Sequence, residues 1–262
     1  MAIEFRDVYK AFDVPVLTGV DLTVASGETL SIVGPSGTGK SVLLKTTIGL
    51  IRPDRGDVLV EGQSVVDASP AELQTIRRKV GYVFQNAALF DSMNVFENVS
   101  LGLTDEEIRS LGRDEVLRRV SEALEDVNLD APLVLGKLPA ELSGGMRKRV
   151  GVARAIVGRP EILLYDEPVT GLDPVNSAAV DRLISAIAER MHVTSIVVTH
   201  DIEGAMTISN RIALLEGGKL RFVGTPEEFR RSEEPLVRAF VDREAAFAAA
   251  AAMSEAGHEG MA

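Results

Sequence analysis

The chain has 262 residues, of which 45% are hydrophobic and 26% are charged, and its formal net charge is −11. This length fits one large domain or a core with an inserted subdomain. The acidic balance argues against nucleic acid as a partner, because nucleic-acid binding needs a basic surface. The absence of cysteine excludes disulfides and thiol chemistry. We find neither a signal-peptide pattern nor a run of the ~20 apolar residues that a membrane span needs. We therefore expect a cytosolic protein that meets a membrane only through a partner.

Short apolar runs divide the first part of the chain into strands. These predicted strands are Ile3–Val8, Leu17–Val24, Glu28–Val33, Asp57–Glu61 and Val80–Phe84. A glycine-rich loop follows the third of them, and a helix is predicted directly after that loop, at Ser41–Leu50. Strand, glycine loop and helix in this order are typical of a loop that binds phosphate groups.

Helical spacing prevails from residue 86 to 158, and strands then return. The predicted elements there are a strand at Ile162–Tyr165, a helix at Ala178–Met191, a strand at Val193–Thr199, a Gly217-Gly218 hairpin joining Arg211–Glu216 to Lys219–Val223, and a helix at Glu233–Met253. The last helix either lies on the core surface or docks a partner, and the residues after it are expected to be disordered. Strands that alternate with helices predict a mainly parallel, covered sheet. We predict a core of residues 1–85 and 159–232, an inserted helical subdomain of residues 86–158, and a C-terminal helix and tail of residues 233–262.

The glycine-rich loop indicates a nucleoside triphosphate site. It consists of Gly34, Pro35, Ser36, Gly37, Thr38, Gly39, Lys40 and Ser41, and we include the next residue, Val42. The glycines allow backbone N–H groups to approach phosphate oxygens closely. Lys40 supplies a point charge at the β- and γ-phosphates, and the Ser41 hydroxyl is suited to Mg²⁺.

Polar residues near strand ends are the candidates for catalysis. Asp166 and Glu167 follow a core strand, and both side chains can reach one site if the chain turns there. We predict that Asp166 holds Mg²⁺ and that Glu167 polarises the attacking water. Gln85, at the end of another strand, can reach Mg²⁺ or water. His200 follows the end of a strand, which we expect to pair with the strand that leads into the phosphate loop. Its imidazole can donate to the γ-phosphate.

The turn Ser143-Gly144-Gly145 is a second predicted anion site. A hydroxyl followed by two glycines at a helix start presents a group of N–H donors. A chain with its own phosphate loop does not need a second one. We therefore expect the turn to contact the γ-phosphate of a nucleotide held by another copy of the chain.

Two further residues have both a structural and a functional interpretation. Asp173, in Gly171-Leu172-Asp173-Pro174, either only begins a helix as its N-cap or also contacts the opposite subunit. Phe12, before the second strand, either stacks on adenine or is an apolar anchor. A third feature is a set of apolar residues after Gln85. We expect some of them to lie in the core of the helical subdomain and others to form an exposed groove for a partner helix. The set consists of Leu89, Phe90, Met93 and Phe96.

In this order, the motifs resemble those of the ATP-binding cassette (ABC) ATPases, from Phe12 to about Val223. The resemblance implies a RecA-like P-loop NTPase fold of the α/β class, with an N-terminal antiparallel β subdomain and an inserted α-helical subdomain. It also implies a head-to-tail homodimer around two ATP molecules with Mg²⁺. Each ATP would lie between the phosphate loop of one subunit and Ser143-Gly144-Gly145 of the other, with a membrane partner beside Gln85.

Within that family, three segments resemble the MlaF-type ATPases of Mla phospholipid transporters. They are Ala88–Val99, Leu142–Arg149 and Glu234–Val241. This likeness implies a complex with an MlaE-type permease and an MCE-domain lipid-binding protein, and in some members a small STAS-domain subunit, on the cytoplasmic face of the bacterial inner membrane. The alternatives are an ABC ATPase for another cargo and a non-transport ABC protein. The latter usually has a long coiled-coil insertion, two fused cassettes or a basic arm, none of which this sequence shows.

Overall fold

The computed structural model describes residues 1–242. Its first elements are β1 (Ile3–Ala11), β2 (Pro15–Val24), β3 (Thr29–Val33), α1 (Lys40–Thr46), β4 (Arg55–Val60), β5 (Gln63–Ser64), α2 (Pro70–Arg78) and β6 (Val80–Val83). The middle is helical, with α3 (Val95–Ser100), α4 (Asp105–Leu111), α5 (Arg113–Asp126), α6 (Ala131–Val134) and α7 (Gly144–Ile156). The remainder comprises β7 (Ile162–Asp166), α8 (Pro174–Met191), β8 (Thr194–Val198), α9 (Ile202–Ile208), β9 (Arg211–Glu216), β10 (Lys219–Gly224) and α10 (Pro226–Arg231).

Two sheets form the framework. The larger has the strand order β10-β9-β3-β8-β7-β6, and all its pairs are parallel except β9 with β10. The smaller sheet is antiparallel, in the order β2-β1-β4-β5. Every residue of β3, β7 and β8 is buried, as expected for strands covered on both faces. The predicted fold class, a P-loop NTPase with an antiparallel β portion and an inserted set of helices, is confirmed.

The two faces of the parallel sheet pack against different partners. On one face, β-sheet residues such as Ile32 and Leu164 join α1 and the antiparallel sheet in one core. On the other face, residues such as Leu163 and Tyr165 join the helices between β6 and β7 in a second core. Because side chains alternate along a strand, β7 sends Asp166 toward the α1 face and Tyr165 toward the opposite one. The predicted domain boundaries stay predictions.

Several boundaries differ from the sequence-based expectations; for example, α8 begins at Pro174 instead of Ala178. Helix α1 ends at Thr46 instead of Leu50, because the chain turns at Gly49, where φ is +62°. Strand β6 ends at Val83, so Gln85 lies in the following turn rather than at the strand end. Helix α2 was not predicted, although its start carries a capping box of Ser69 and Glu72 with Pro70 at the first helical position.

The C-terminal segment is described as far as residue 242. Residues 235–242 are helical, and Val237 is fully buried. Leu236 and Phe240 pack against a small core that includes Phe229. These contacts favour the core-surface interpretation for this part. The remainder of the predicted Glu233–Met253 helix, with Phe247, and the tail after it lie outside the described residues. Within residues 1–242, no helix has both the length and the apolarity to cross a membrane.

Candidate ATP-binding and hydrolysis site

The loop between β3 and α1 wraps closely around its own backbone. A Cβ on Gly34 would lie 2.2 Å from the carbonyl oxygen of Leu215, so no side chain fits there. Gly39, with φ +96°, precedes α1 in a left-handed conformation, and a Cβ on it would meet Val16 at 2.8 Å. These positions explain why glycine occurs here. The loop can therefore bring backbone N–H groups next to an anion at the start of the helix.

Lys40 is the cation of this loop, and only 5% of its side chain is exposed. Its Nζ donates to the carbonyl oxygens of Gly34 at 2.8 Å and Pro35 at 3.0 Å. The Nζ also lies 3.8 Å from Oε1 of Glu167. Burial lowers the pKa of the Lys40 ammonium, and the charges of Glu167 and Asp166 oppose that shift. The arrangement places a positive charge between the phosphate loop and the candidate catalytic carboxylate.

Asp166 is the buried carboxylate at the end of β7, and each of its oxygens has its own donor. The Ser41 hydroxyl donates to Oδ1 at 2.6 Å, and the Tyr82 hydroxyl donates to Oδ2 at 2.9 Å. The Nζ of Lys45 lies 3.9 Å from Oδ2. The structure thus brings together Ser41 and Asp166, two of the three residues predicted from sequence to bind Mg²⁺.

Glu167 reaches the same site because the chain turns at this residue, where φ is +51°. Its backbone N–H donates to the carbonyl oxygen of Val198 in the neighbouring strand at 2.9 Å. Its Oε2 is bonded by the Thr170 hydroxyl at 3.0 Å and lies 2.7 Å from Nδ1 of His200. Its Oε1 remains on the Lys40 side. Glu167 is therefore held in one orientation, as a water-positioning carboxylate requires.

His200 lies where its strand was expected, since β8 pairs directly with β3. The strand itself ends at Val198, one residue earlier than predicted, and 56% of the His200 side chain is exposed. An exposed imidazole beside the phosphate loop can meet a ligand while its Nδ1 contacts Glu167. Its predicted contact with a γ-phosphate stays a prediction.

Gln85 is not brought to these groups. It is exposed in the turn after β6, and its backbone carbonyl accepts a hydrogen bond from Nζ of Lys148 on α7. Within residues 1–242, its side chain makes no hydrogen bond to Asp166 or Glu167. The expected roles of Gln85 in metal and water binding stay predictions.

The Ser143-Gly144-Gly145 turn begins α7 as expected. The Ser143 hydroxyl caps the helix by accepting from the N–H of Met146 at 3.2 Å, and both Ser143 and Gly144 are exposed. A cavity of about 530 Å³ adjoins the phosphate loop, between Gly34–Ser36, Val169–Leu172 and His200–Asp201. Among the described residues that line it, none comes from the Ser143 turn. The turn is therefore an exposed group of donors that is separate from the cavity beside its own chain's phosphate loop.

The remaining predicted site residues surround this region. Asp173 is the N-cap of α8, with Pro174 at the first helical position, which confirms the structural interpretation of that turn. The ring of Phe12 is 60% exposed in the loop after β1, with Nζ of Lys10 at 5.4 Å from its centroid. Val42, on the first turn of α1, packs partly against the core. Exposure leaves Phe12 available for stacking on a base.

Comparison with known proteins decides the family. The family profile described as "ABC transporter" matches residues 17–170. The chain is 39% identical over 98% of its length to a probable ribonucleotide transport ATP-binding protein of Mycobacterium leprae, covering 77% of that protein. The chain belongs to the ABC transporter family.

This ABC cassette has other relatives and solved neighbours. A sulfate/thiosulfate import ATP-binding protein of Caulobacter vibrioides is 41% identical over 89% of the chain, which covers 68% of that protein. A dimeric ATP-binding cassette, solved in a post-hydrolysis state with ADP and phosphate, superposes with a TM-score of 0.79. That structure is 32% identical, and the match covers 86% of this chain and 98% of the other. The chain is thus an ATPase and the ATP-binding subunit of an ABC transporter, a class whose cassettes dimerise and pair with a membrane permease.

The donor set of the ABC cassette fits Mg²⁺. The Ser41 hydroxyl and the Asp166 carboxylate are oxygen donors 2.6 Å apart next to the phosphate loop. Mg²⁺ prefers oxygen ligands and is commonly bound by one or two protein groups together with substrate phosphates and water. Within residues 1–242, no group of three or more His, Cys, Asp or Glu side chains that could hold a metal ion is present.

Sequence reasoning missed three residues of the site. Tyr82 and Lys45 contact Asp166, and Thr170 contacts Glu167. For Tyr82 a signal existed, because β6 is an apolar run in which a phenol hydroxyl needs a polar partner. The partner itself is set by the pairing of β6 with β7, which comes from non-adjacent parts of the chain.

Proposed function

We propose that two copies of this chain close around two ATP–Mg²⁺ complexes and that their hydrolysis drives phospholipid transport through an MlaE-type permease. The observation that supports the composite site is the separation of the Ser143 turn from the cavity beside the phosphate loop of the same chain. A second copy can supply that turn in a head-to-tail dimer. The dimeric cassette among the structural neighbours supports the same arrangement.

In the proposed reaction, each residue has one role. Lys40 and the loop N–H groups bind the β- and γ-phosphates, and Ser41 and Asp166 hold Mg²⁺, which supplies charge stabilisation at the phosphates. Glu167, held by Thr170 and His200, orients water toward the γ-phosphate. Gln85 contacts Mg²⁺ or the water and links the nucleotide state to the helical insert, and the Asp173 turn contacts the opposite subunit.

The phospholipid cargo rests on the motif resemblance to MlaF-type ATPases. The named relatives carry other cargoes, which include ribonucleotides and sulfate. We propose a complex with an MCE-domain lipid-binding protein and a small STAS-domain subunit, with the cassette on the cytoplasmic face of the bacterial inner membrane. Purification of the intact complex from membranes, followed by mass spectrometry of its subunits and bound lipid, tests this. A complex without an MCE-domain subunit or phospholipid would contradict the cargo and leave the ATPase assignment standing.

The segment after Gln85 is the proposed docking surface for the permease. Phe90 is 55% exposed, whereas Leu89 and Phe96 pack partly against the helical core. Phe90→Ser should therefore reduce capture of the permease and leave ATP binding unchanged. Val223→Ser, on the outer strand β10, is the matched control because Val223 is also an exposed apolar residue. Normal permease capture by the Phe90 variant would contradict the assignment.

A further inference from the structure

Tyr82 contacts Asp166 but has no role in the proposed reaction. It lies on β6, whose register places Tyr82 opposite Leu164, two residues before Asp166 on β7. Because side chains alternate along strands, Tyr82 and Asp166 face the same side of the sheet, toward α1. The Tyr82 hydroxyl consequently donates to Oδ2 of Asp166 at 2.9 Å, while Ser41 donates to Oδ1.

The Tyr82 ring is itself fixed. It packs against the core between the parallel sheet and α1, and its centroid lies 4.5 Å from that of Phe84. The phenol O–H can donate, whereas an ionised carboxylate oxygen can only accept, so the hydroxyl is the donor in its contact with Asp166.

Asp166 has few other ways to hold its orientation. Its side chain is 6% exposed, so little water can bond to it. The Ser41 hydroxyl donates to Oδ1 of Asp166. The same hydroxyl oxygen is expected to bind Mg²⁺ through its lone pairs. The Lys45 ammonium is 3.9 Å from Oδ2, too far for a hydrogen bond. Once Ser41 serves the metal, Tyr82 is the remaining side-chain hydrogen-bond donor to Asp166 among residues 1–242.

We infer that Tyr82 is a positioning residue for the Mg²⁺ site, which anchors Oδ2 of Asp166 so that Oδ1 faces the ion beside Ser41. The inference rests on the proposed function, in which Ser41 and Asp166 hold Mg²⁺. Groups that orient a metal ligand typically change metal affinity by 10–100-fold when they are removed. Among residues 1–242, the Tyr82 hydroxyl is hydrogen-bonded to Asp166, so its effect should appear in metal dependence and not in nucleotide affinity without metal.

The test compares Tyr82→Phe with Tyr165→Phe in the full chain. Tyr165 is on the adjacent strand and is fully buried, and its hydroxyl has no hydrogen-bond partner in the described part of the chain. Both variants lose one phenol oxygen and keep the ring. The readouts are binding of a fluorescent ATP analogue in excess EDTA, and the Mg²⁺ concentration that gives half of the additional binding when the ion is added back.

For Tyr82→Phe we expect unchanged binding in EDTA and a half-saturating Mg²⁺ concentration raised roughly tenfold. Tyr165→Phe should match the parent in both readouts. A Mg²⁺ dependence of Tyr82→Phe equal to the parent's would overturn the inference. So would an equal loss of binding in EDTA, since the hydroxyl would then support the loop or the fold instead of the metal ligand. If the parent itself showed no effect of Mg²⁺, the proposed metal site would fail before Tyr82 was tested.

Discussion

The phosphate-loop half of the site and the Ser143 turn differ in how the chain holds them. Lys40, Ser41, Asp166 and Glu167 are linked to one another or to the loop by contacts of 2.6–3.8 Å. They lie at or after the ends of the parallel strands β3 and β7, which are separated in the sheet by β8. Among residues 1–242, the Ser143 hydroxyl is in contrast hydrogen-bonded within its own helix start, and the turn is exposed. One half is assembled within the chain, and the other presents its donors at the surface.

The largest effect should follow loss of the cation in the assembled half. Lys40→Ala removes the buried ammonium that bonds Gly34 and Pro35 and faces Glu167. We expect weakened ATP binding and hydrolysis reduced by at least about 10²-fold, since preorganised charge at a transferring group is worth that much. Steady-state ATPase assays and a binding titration measure both. Lys79→Ala is the control, because Lys79 pairs with Glu61 and Glu161 at the surface. Hydrolysis at the parental rate would contradict the role of Lys40.

Glu167→Gln should separate binding from chemistry within the same half. The amide keeps the shape of the side chain but is a poor acceptor for a water proton, so hydrolysis should fall by about 10²–10⁴-fold while ATP binding persists. The variant should accumulate as an ATP-bound dimer, which size-exclusion chromatography with light scattering detects. Glu161→Gln, on the exposed glutamate next to the start of β7, is the matched control. Near-normal turnover, or failure to bind ATP, would exclude Glu167 as the water-positioning carboxylate.

Phe12 lies outside the group of linked catalytic residues, and its exposed ring is available to a nucleotide base. Substitution of Phe12 therefore tests whether the ATP site extends to this ring. Stacking of a base on an aromatic ring contributes about 1–3 kcal/mol, so Phe12→Ala should weaken ATP binding about tenfold or more. Phe12→Tyr keeps the ring and should bind like the parent. Titration with ATP distinguishes the two variants. Equal affinity of the alanine variant would favour the apolar-anchor interpretation.

The smallest effect concerns the stability of the fold at Asp181. Asp181 lies on α8, the helix that Asp173 begins, and burial together with the nearby Asp201 raises the pKa of Asp181 to about 6. Because the folded pKa exceeds the unfolded value of about 3.9, ionised Asp181 destabilises the fold above pH 6, and the cost disappears as the pH falls toward 4. Asp181→Asn should stabilise by about 1 kcal/mol at pH 8, after allowance for partial exposure.

Urea unfolding of the parent and of Asp181→Asn at pH 8 and pH 5 measures this difference. The stabilisation should be clearly larger at pH 8. A gain of the same size at both pH values would show that ionisation of Asp181 is not its cause.

Local sequence patterns predicted the assembled half well, for identifiable physical reasons. The glycines before Lys40 and the carboxylates after an apolar strand are short-range signals, and the parallel sheet then brings them together. The sequence could not show that Glu167 adopts a positive φ, which is what turns its side chain to the site of Asp166. It also could not show that Tyr82 bonds Asp166, because that contact depends on strand pairing over long range.

Boundary predictions failed where tertiary packing decides. Gln85 was expected at a strand end, but the chain leaves the sheet after Val83 and continues through left-handed Ala87 and Ala88. Two carbonyls in this turn are bonded by Arg154 of α7, a helix more than 60 residues away in sequence. The missed helix α2 has a different cause, because its capping box is a local sequence signal that predicts a helix start without any tertiary contact.

We expect the exposed Ser143 turn to complete the site of a second copy. Gly144→Asp puts a bulky, negatively charged side chain where a phosphate is expected, so we expect ATP binding by each subunit without hydrolysis. Mixing this variant with Lys40→Ala gives heterodimers in which one of the two sites has an intact loop and an intact turn. Lys40→Ala mixed with the Lys40→Ala/Gly144→Asp double variant forms no intact site and is the control.

The deciding measurement is therefore the ATPase rate of the Gly144→Asp and Lys40→Ala mixture after subunit exchange. We expect a rate well above the sum of the rates of the two separate variants, with no such gain in the control mixture. A rate equal to that sum, with heterodimers shown to form, would contradict the claim that the turn acts across the dimer interface.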